Sequence, residues 1–307
     1  MAMSGMYGHS DENESIATIH AALEHGITLL DTGDFYGSGH NEMLIGRALR
    51  GRRESALLSV KFGAMRSPDQ AFVGFDGRPV AVKNFLSYTL KRLGVDHIDI
   101  YRPSRLDPNV PIEDTVGAIA DMIKAGYVRY VGLSEVGPDT IRRAHAVHPV
   151  CDLQIEYSLI SRGPENKIFP LLAELGIGVT AYGVLSRGLL TASPFATKGF
   201  DLRRNLPRFS ADNRAQNQRL VDALGRLGAE KGTTAVALAV AWVLGKGQNL
   251  VPLVGSRTRA QLADALGALD VALTPAELAQ LEEAVPASAV AGARYDAHQM
   301  KMLDSEK

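Results

Sequence analysis

The stretch "IDIYRPSRLDPNVPIEDTVGAIADMIKAGYVRYVGLS", residues 98–134, decides the fold class. Residues 98–101 form a short apolar run that prolines interrupt soon afterwards, a pattern that predicts a strand. The segment "IEDTVGAIADMIKAG" has helical spacing and ends in glycine, and "VRYVGLS" is a second apolar run. A helix that joins two strands is the crossover that parallel neighbours require, so the stretch predicts an α/β fold with a parallel sheet.

The same alternation continues along the chain, in units of about 30 residues. The predicted strands are 27–31, 56–61, 98–101, 128–134, 152–157, 178–182 and 250–255. No change in composition divides the sequence, which predicts a single domain, 1–307. The segment "GSGHNE" lacks the last glycine of the GxGxxG motif of open dinucleotide-binding sheets. A closed (β/α)8 TIM barrel therefore fits this length better.

The strand count is one short of eight. A helix predicted from about Asp11 to Glu24 follows a short segment rich in glycine and methionine that resembles the loop after a strand. We therefore expect the first strand to be missing from this chain, with either a start upstream or an irregular closure, because an open barrel has two unpaired edges. The longest insertion, 186–219, is expected to be a loop, and helices are predicted at roughly 212–231 and 233–245.

Composition and charge restrict the class of function. The 33 basic and 34 acidic residues are mixed along the chain, which argues against nucleic acid or an acidic membrane as the main partner. Cys151 is the single cysteine, so no intramolecular disulfide forms and a cytoplasmic location is expected. The sequence contains no run of about 18 apolar residues, so no membrane span is predicted. His145 and His148 lack an evident third ligand, so no metal site is expected.

Polar residues at strand exits are the candidates for chemistry, since barrel active sites lie at the carboxyl ends of strands. Asp31 ends the first predicted strand, Tyr36 follows it, and Lys61 ends the next. A lysine ammonium lowers the pKa of a nearby phenol, so Tyr36 would exchange a proton with a carbonyl oxygen. Two alternatives remain: an ion pair beside a loop aromatic, or Lys61 as a Schiff-base nucleophile.

Several segments, in chain order, resemble the aldo-keto reductases. They are "LLDTGDFYGSGHNE", "SVKFG", "VRYVGLSEV", "QIEYSLISR", "AYGVLSRGLL" and "PLVGSRTRAQL". The resemblance runs almost end to end and implies a (β/α)8 barrel that reduces an aldehyde or ketone with NADPH. It also implies that Tyr36 is the proton donor and that Asp31 and Lys61 tune it.

The resemblance further implies a set of residues that bind NADPH. Ser134 and Gln154 would hold the nicotinamide carboxamide, Tyr182 would stack on the ring, and Arg257 would pair with the 2′-phosphate. The whole implied set is Ser134, Gln154, Tyr182, Gly183, Leu185, Arg187, Gly255, Arg257, Gln261 and Asp264.

Two longer segments also receive roles from the resemblance. The loop 186–219 is expected to lie over the cofactor, with Arg203, Arg204 and Arg208 either solvated or folded over the pyrophosphate. The C-terminal tail 286–307 is expected to lie near the substrate pocket.

Ser104 is where the sequence departs from the family. Most members have histidine at this position, completing an Asp-Tyr-Lys-His tetrad, and a serine has neither its charge nor its reach. Ser104 would hold a water molecule or leave space for a bulky substrate. A branch similar to pyridoxal reductase also has a small residue here, so pyridoxal and bulky ketones, such as keto-steroids or keto-mycotoxins, are candidate substrates. The alternative is a cofactor-binding protein with little turnover, similar to the potassium-channel β subunits.

Overall fold

The computed structural model describes residues 2–191 and 200–307. The chain divides into two compact units. The first comprises Met1–Leu153 and Met302–Lys307, and the second comprises Gln154–Lys301. The single domain predicted from the sequence remains a prediction.

The first unit alternates helices with parallel strands. Its helices are α1 Glu12–Glu24, α2 His40–Ala48, α3 Pro79–Leu93, α4 Ile112–Lys124 and α5 Pro138–Val147. Its strands are β1 Leu29–Gly33, β2 Leu57–Phe62, β3 Ala64–Arg66, β4 Phe72–Phe75, β5 Ile98–Pro103, β6 Val128–Ser134 and β7 Val150–Glu156, the last of which ends in the second unit. In the sheet, β1, β2, β5, β6 and β7 follow one another in that order. The strands β3 and β4 form a separate antiparallel hairpin.

The second unit continues the alternation. Its elements are α6 Pro164–Leu175, β8 Gly178–Tyr182, α7 Ala211–Glu230, α8 Ala235–Gly245, β9 Leu250–Leu253, α9 Arg259–Leu266, α10 Pro275–Ala284 and α11 Ala297–Lys301. The strands β8 and β9 pair in parallel. All seven strands predicted from apolar runs are confirmed, and the sequence analysis missed only the hairpin β3–β4 among the described strands.

The predicted loop 186–219 ends at residue 210, close to the start of the helix predicted at roughly 212–231, which is confirmed as α7. Residues 211–219 are helical, because Ser210 has the extended backbone of an N-cap and Asp212 lies in the first turn of α7, where its charge stabilises the helix dipole. Before them, short 3-10 turns cover Ser186–Thr191, Leu202–Asn205 and Pro207–Phe209. Residues 192–199 of this loop lie outside the described residues.

The packing of the helices follows their apolar spacing, as α4 illustrates. Ile112, Val116 and Ile119 lie on one face of α4 and are buried. Acidic residues occupy the first turn and Lys124 the last, the charge order that a helix dipole favours. Because such helices cross between parallel strands, β1, β2, β5 and β6 share one direction, and their carboxyl ends lie at one edge of the sheet.

Candidate active site

The parallel register of β1 and β2 brings the predicted ion pair together. Gly33 lies beside Lys61, and Asp31 lies beside Ser59. The Lys61 ammonium donates hydrogen bonds to Asp31 Oδ1 at 2.5 Å and to the Thr32 carbonyl at 2.9 Å. The Ser59 hydroxyl donates to Asp31 Oδ2 at 2.9 Å. Both oxygens of Asp31 are therefore engaged, which fixes the carboxylate and, through it, the ammonium.

Tyr36 lies beside this pair, on the loop that follows β1. Its backbone N–H donates to the Gly33 carbonyl at 3.0 Å, and the Lys61 nitrogen lies 5.0 Å from the centre of its ring. The loop turns back through Gly39, whose φ of 93° and close approach to Arg92 exclude a side chain. The structure thus brings Asp31, Tyr36 and Lys61 together as the sequence analysis predicted.

The environment of Lys61 tunes its proton affinity. The residue is only 4% exposed. Burial lowers the pKa of its ammonium, Asp31 opposes that change, and the positive charges of Arg102 and Arg105 lower the pKa further. A Schiff-base role requires a free amine, whereas this nitrogen donates to two oxygens. The contacts therefore favour a charged, positioning lysine.

Arg102 is a buried residue of this cluster that the sequence analysis passed over. It donates through Nη2 to the Ser59 hydroxyl at 3.0 Å and pairs with Asp152 at 3.0 Å. A chain of contacts therefore runs from Arg102 through Ser59 to Asp31. The available signal was the position itself, because an arginine that continues a buried strand needs a partner in the core.

Ser104 occupies the exit of β5, next to the end of β2. Its N–H donates to the Phe62 carbonyl at 2.8 Å. The residue is 3% exposed, and within the described part of the chain its hydroxyl has no hydrogen-bond partner. The Arg105 guanidinium donates to the Ser104 carbonyl at 2.6 Å and reaches the Ser134 hydroxyl at 3.5 Å. Ser104 therefore presents a small buried surface with one unused hydroxyl.

Asp34 is a second buried carboxyl on the Tyr36 loop, and the sequence analysis missed it. Its N–H donates to the Lys61 carbonyl at 2.9 Å, and its Oδ2 accepts from the Gly63 N–H at 3.4 Å. No partner for its Oδ1 exists in the ranges 2–191 and 200–307. Burial, reinforced by the charge of Glu42, raises the pKa of Asp34 to about 7. Asp34 therefore bridges the loop to β2 as a carboxyl that holds its proton near neutral pH.

In the second unit, three arginines converge on one buried carboxylate. Glu156, at the end of β7, pairs with Arg187 at 2.8 Å, Arg208 at 3.3 Å and Arg294 at 3.5 Å. Sequence analysis singled out Arg187, and it left Arg208 open between a solvated loop and the pyrophosphate. The structure buries Arg208 against Glu156. Guanidinium clusters of this kind are suited to phosphate groups.

Tyr182, at the end of β8, is joined to the C-terminal tail. Its hydroxyl lies 3.0 Å from that of Tyr295, and Arg187 stacks over the Tyr295 ring at 4.5 Å. Gly183 follows with a φ of 70°, and a side chain there would press against Glu156 at 3.0 Å. The turn therefore requires glycine. Leu185 is half-buried in the same turn.

Most of the other predicted cofactor residues of the second unit lie around the start of α9. Gln261 accepts from the Arg257 N–H at 2.9 Å, and its own N–H donates to the N-cap hydroxyl of Thr258. Gly255 is exposed just before them. The Asp264 carboxylate accepts from the Thr234 hydroxyl at 2.6 Å, which ties α9 to the start of α8. Gln154 is separate from this group and is buried on β7.

Two other predicted features can be placed. Arg203 forms a bidentate pair with Asp201, at 2.9 and 2.7 Å. His145 accepts from the Val150 N–H at 3.3 Å. Across residues 2–191 and 200–307, no group of metal-binding side chains is assembled. In those ranges no single helix has the length and apolarity to cross a membrane, although α7 and α8, bent by 87°, meet that requirement as a pair.

Known proteins are similar to this chain in both sequence and fold. The model of the aldo/keto reductase family matches residues 1–286. A probable aldo-keto reductase 1 from Glycine max is 41% identical, over 96% of this chain and 86% of that protein. The structure of a glycerol dehydrogenase from Gluconobacter oxydans superposes with a TM-score of 0.83 at 30% identity, over 92% of this chain and 89% of the other. An aldo-keto reductase from Klebsiella pneumoniae, solved with NADPH, gives a TM-score of 0.71 at 23% identity, over 90% and 86%. The predicted fold class, the (β/α)8 barrel, is confirmed.

Proposed function

The chain belongs to the aldo/keto reductase family of oxidoreductases, and from this premise we propose that it uses NADPH to reduce an aldehyde or ketone to an alcohol, with Tyr36 as proton donor. One observation carries the proposal: the Lys61 ammonium is held by Asp31 at 2.5 Å and lies 5.0 Å from the centre of the Tyr36 ring. That arrangement supplies a proton to a carbonyl oxygen and stabilises the phenolate that remains.

The donor groups present fit NADPH. The buried Ser134 hydroxyl and Gln154 amide suit the nicotinamide carboxamide, and the Arg257 guanidinium suits the 2′-phosphate. The guanidinium cluster around Glu156 suits the pyrophosphate. When bound, NADPH supplies the hydride for the carbonyl carbon.

Proton transfer and charge stabilisation are carried out by the chain's own residues. Tyr36 gives its phenolic proton to the carbonyl oxygen, and Lys61 stabilises the charge left on the phenolate. Asp31 keeps the ammonium oriented, and the Ser59 hydroxyl holds the second oxygen of that carboxylate. Arg102 supports this arrangement from the core through its contact with Ser59.

The proposed substrate is pyridoxal or a bulky ketone. Support comes from Ser104, whose buried side chain is smaller than the histidine that most of the family has at this position. Its unused hydroxyl offers one hydrogen bond to a polar group of the substrate or to a water molecule. The cytoplasm is the proposed location, because the lone Cys151 has no disulfide partner within the chain.

Tyr36→Phe is the direct test. We expect turnover to fall by about 10² to 10⁴, because general acid catalysis is lost, while NADPH affinity stays near the wild-type value. Consumption of NADPH is followed by absorbance with a carbonyl panel that includes pyridoxal, and binding is followed by NADPH fluorescence. A variant that keeps most of its turnover would remove Tyr36 from the mechanism. Wild-type protein that binds NADPH yet reduces nothing on the panel would favour the cofactor-binding alternative.

A further inference from the structure

The segment Met302–Lys307 belongs to the first unit and lies on the turn between β6 and α5. The Asp304 carboxylate accepts from the Gly137 N–H at 2.9 Å and from the Thr140 hydroxyl at 2.7 Å. Gly137 is the N-cap of α5 and has no side chain for capping. The helix therefore takes its cap from a residue 167 positions away in the sequence. The close approach requires glycine at 137, since a Cβ there would lie 2.8 Å from the Asp304 carbonyl oxygen.

Ser305 makes two hydrogen bonds to one residue of the same turn. Its hydroxyl donates to the Glu135 carboxylate at 2.6 Å, and its N–H donates to the Glu135 carbonyl at 3.2 Å. Glu135 is buried and has a φ of 54°, in the left-handed region that side chains disfavour. Such a conformation persists only where the surroundings fix it. Ser305 fixes both the backbone and the side chain of Glu135.

The strained residue directly follows Ser134, the last residue of β6. The conformation of Glu135 sets the orientation of the peptide that joins it to Ser134. We propose that Asp304 and Ser305 are positioning residues, which hold Ser134 in place and thereby set the affinity for the nicotinamide half of the cofactor. This inference rests on the proposed function, in which Ser134 binds the nicotinamide carboxamide.

Ser305→Ala and Asp304→Ala test the inference with two ligands. NADPH carries the nicotinamide, whereas adenosine 2′,5′-bisphosphate carries only the adenine and 2′-phosphate end. The left-handed conformation of a non-glycine residue is disfavoured by a free energy that corresponds to about a tenfold change in a conformational or binding equilibrium constant. We expect the dissociation constant for NADPH to rise about tenfold in each variant and that for adenosine 2′,5′-bisphosphate to stay within about twofold.

Two matched variants and a second readout separate positioning from general damage. Ser305→Thr keeps the hydroxyl and should keep wild-type NADPH affinity. Lys307→Ala removes an exposed ammonium that lies 3.7 Å from the Asp304 carboxylate. It should also keep wild-type NADPH affinity, because an exposed ion pair contributes little. Hydrogen exchange, which needs no catalysis, should accelerate at the amides of residues 135–137, 139 and 140 in Ser305→Ala and stay unchanged in Ser305→Thr.

The outcomes are distinct. If the wild-type protein binds NADPH, unchanged NADPH affinity in Ser305→Ala and Asp304→Ala would overturn this inference and leave the proposed function intact. Equal weakening of both ligands would also overturn it, because the effect would then be structural loss rather than placement of Ser134. Wild-type protein that fails to bind NADPH would contradict the proposed function as well.

Discussion

At the scale of single residues, β1 and the Tyr36 loop that follows it each carry one carboxyl group, and the two groups have opposite surroundings. Asp31 accepts from the Lys61 ammonium and the Ser59 hydroxyl, which favours its charged form. Asp34 is 8% exposed, and its side chain accepts hydrogen bonds from backbone N–H groups, including a long one of 3.4 Å from Gly63. Environments that separate the proton affinities of neighbouring carboxyls are a common feature of acid–base sites. A carboxylate paired with an ammonium therefore lies three residues from a carboxyl whose pKa is raised to about 7.

Asp34→Asn should flatten the dependence of stability on pH. The folded-state pKa of about 7 lies above the ordinary 3.8, so between these values the folded protein binds a proton that the unfolded chain releases. The free energy of unfolding therefore falls as pH rises through this range, by at most about 4 kcal/mol at 1.36 kcal/mol per pKa unit. Urea unfolding at about pH 5 and about pH 9 measures the slope for each protein.

The exposed Asp270 provides the control. Asp270→Asn should leave the slope as it is in the wild-type protein. If Asp34→Asn changed stability by the same amount at both pH values, Asp34 would not be the group that titrates.

Some residues of the site were predictable, and others required the fold. Asp31, Tyr36 and Lys61 were found because each lies at or just after the end of an apolar run. Glu156 gathers Arg187, Arg208 and Arg294 from sequence separations of 31, 52 and 138 residues, the last being 294 minus 156. No local pattern records contacts over such distances.

At the scale of elements, the helices predicted at about 11–24, 112–126, 212–231 and 233–245 correspond to α1, α4, α7 and α8, whereas α9, α10 and α11 were not predicted. Glycines set how closely helices pack. In α2, a Cβ at Gly46 would overlap the backbone carbonyl of Leu93 at the end of α3. Gly117 in α4 has open space around it. The hairpin β3–β4 escaped prediction because its strands have only 3 and 4 residues, too few for a period to be distinguished from a loop.

Gly46→Ala and Gly117→Ala should therefore change stability in opposite directions. Alanine has the higher helix propensity, so Gly117→Ala should stabilise the protein by up to about 1 kcal/mol. Gly46→Ala should destabilise it by about 1 to 3 kcal/mol, because backbone atoms of α3 have to move. Urea unfolding midpoints give both values. Stabilisation by Gly46→Ala would contradict the close packing of α2 on the end of α3.

At the scale of the whole molecule, cofactor binding and folding are coupled. A ligand that binds only the folded protein stabilises it by about 2.7 kcal/mol at a concentration of 100 times its dissociation constant. Thermal stability therefore reports cofactor preference for the entire chain, without any catalytic assay.

Arg257→Ala should abolish the preference for NADPH over NADH. Hydrogen bonds to charged groups contribute about 1.5 to 3 kcal/mol, so we expect NADPH affinity to fall tenfold or more. NADH lacks the 2′-phosphate, and its affinity should change little. The measurement is the rise in melting temperature with each cofactor, for both proteins. Equal loss with NADPH and NADH would place the 2′-phosphate elsewhere, at Arg259 or near Arg204.

The return of Met302–Lys307 to the first unit has a consequence for the order of synthesis. About 150 residues separate Leu153 from Met302, and at roughly 5 to 20 residues per second a ribosome needs about 8 to 30 s to add them. During that interval the nascent first unit contains α5 without Asp304 and Glu135 without Ser305. The turn after β6 therefore lacks its contacts with the tail until residues 304 and 305 have been synthesised. The first unit takes its final form only after the second unit has been translated.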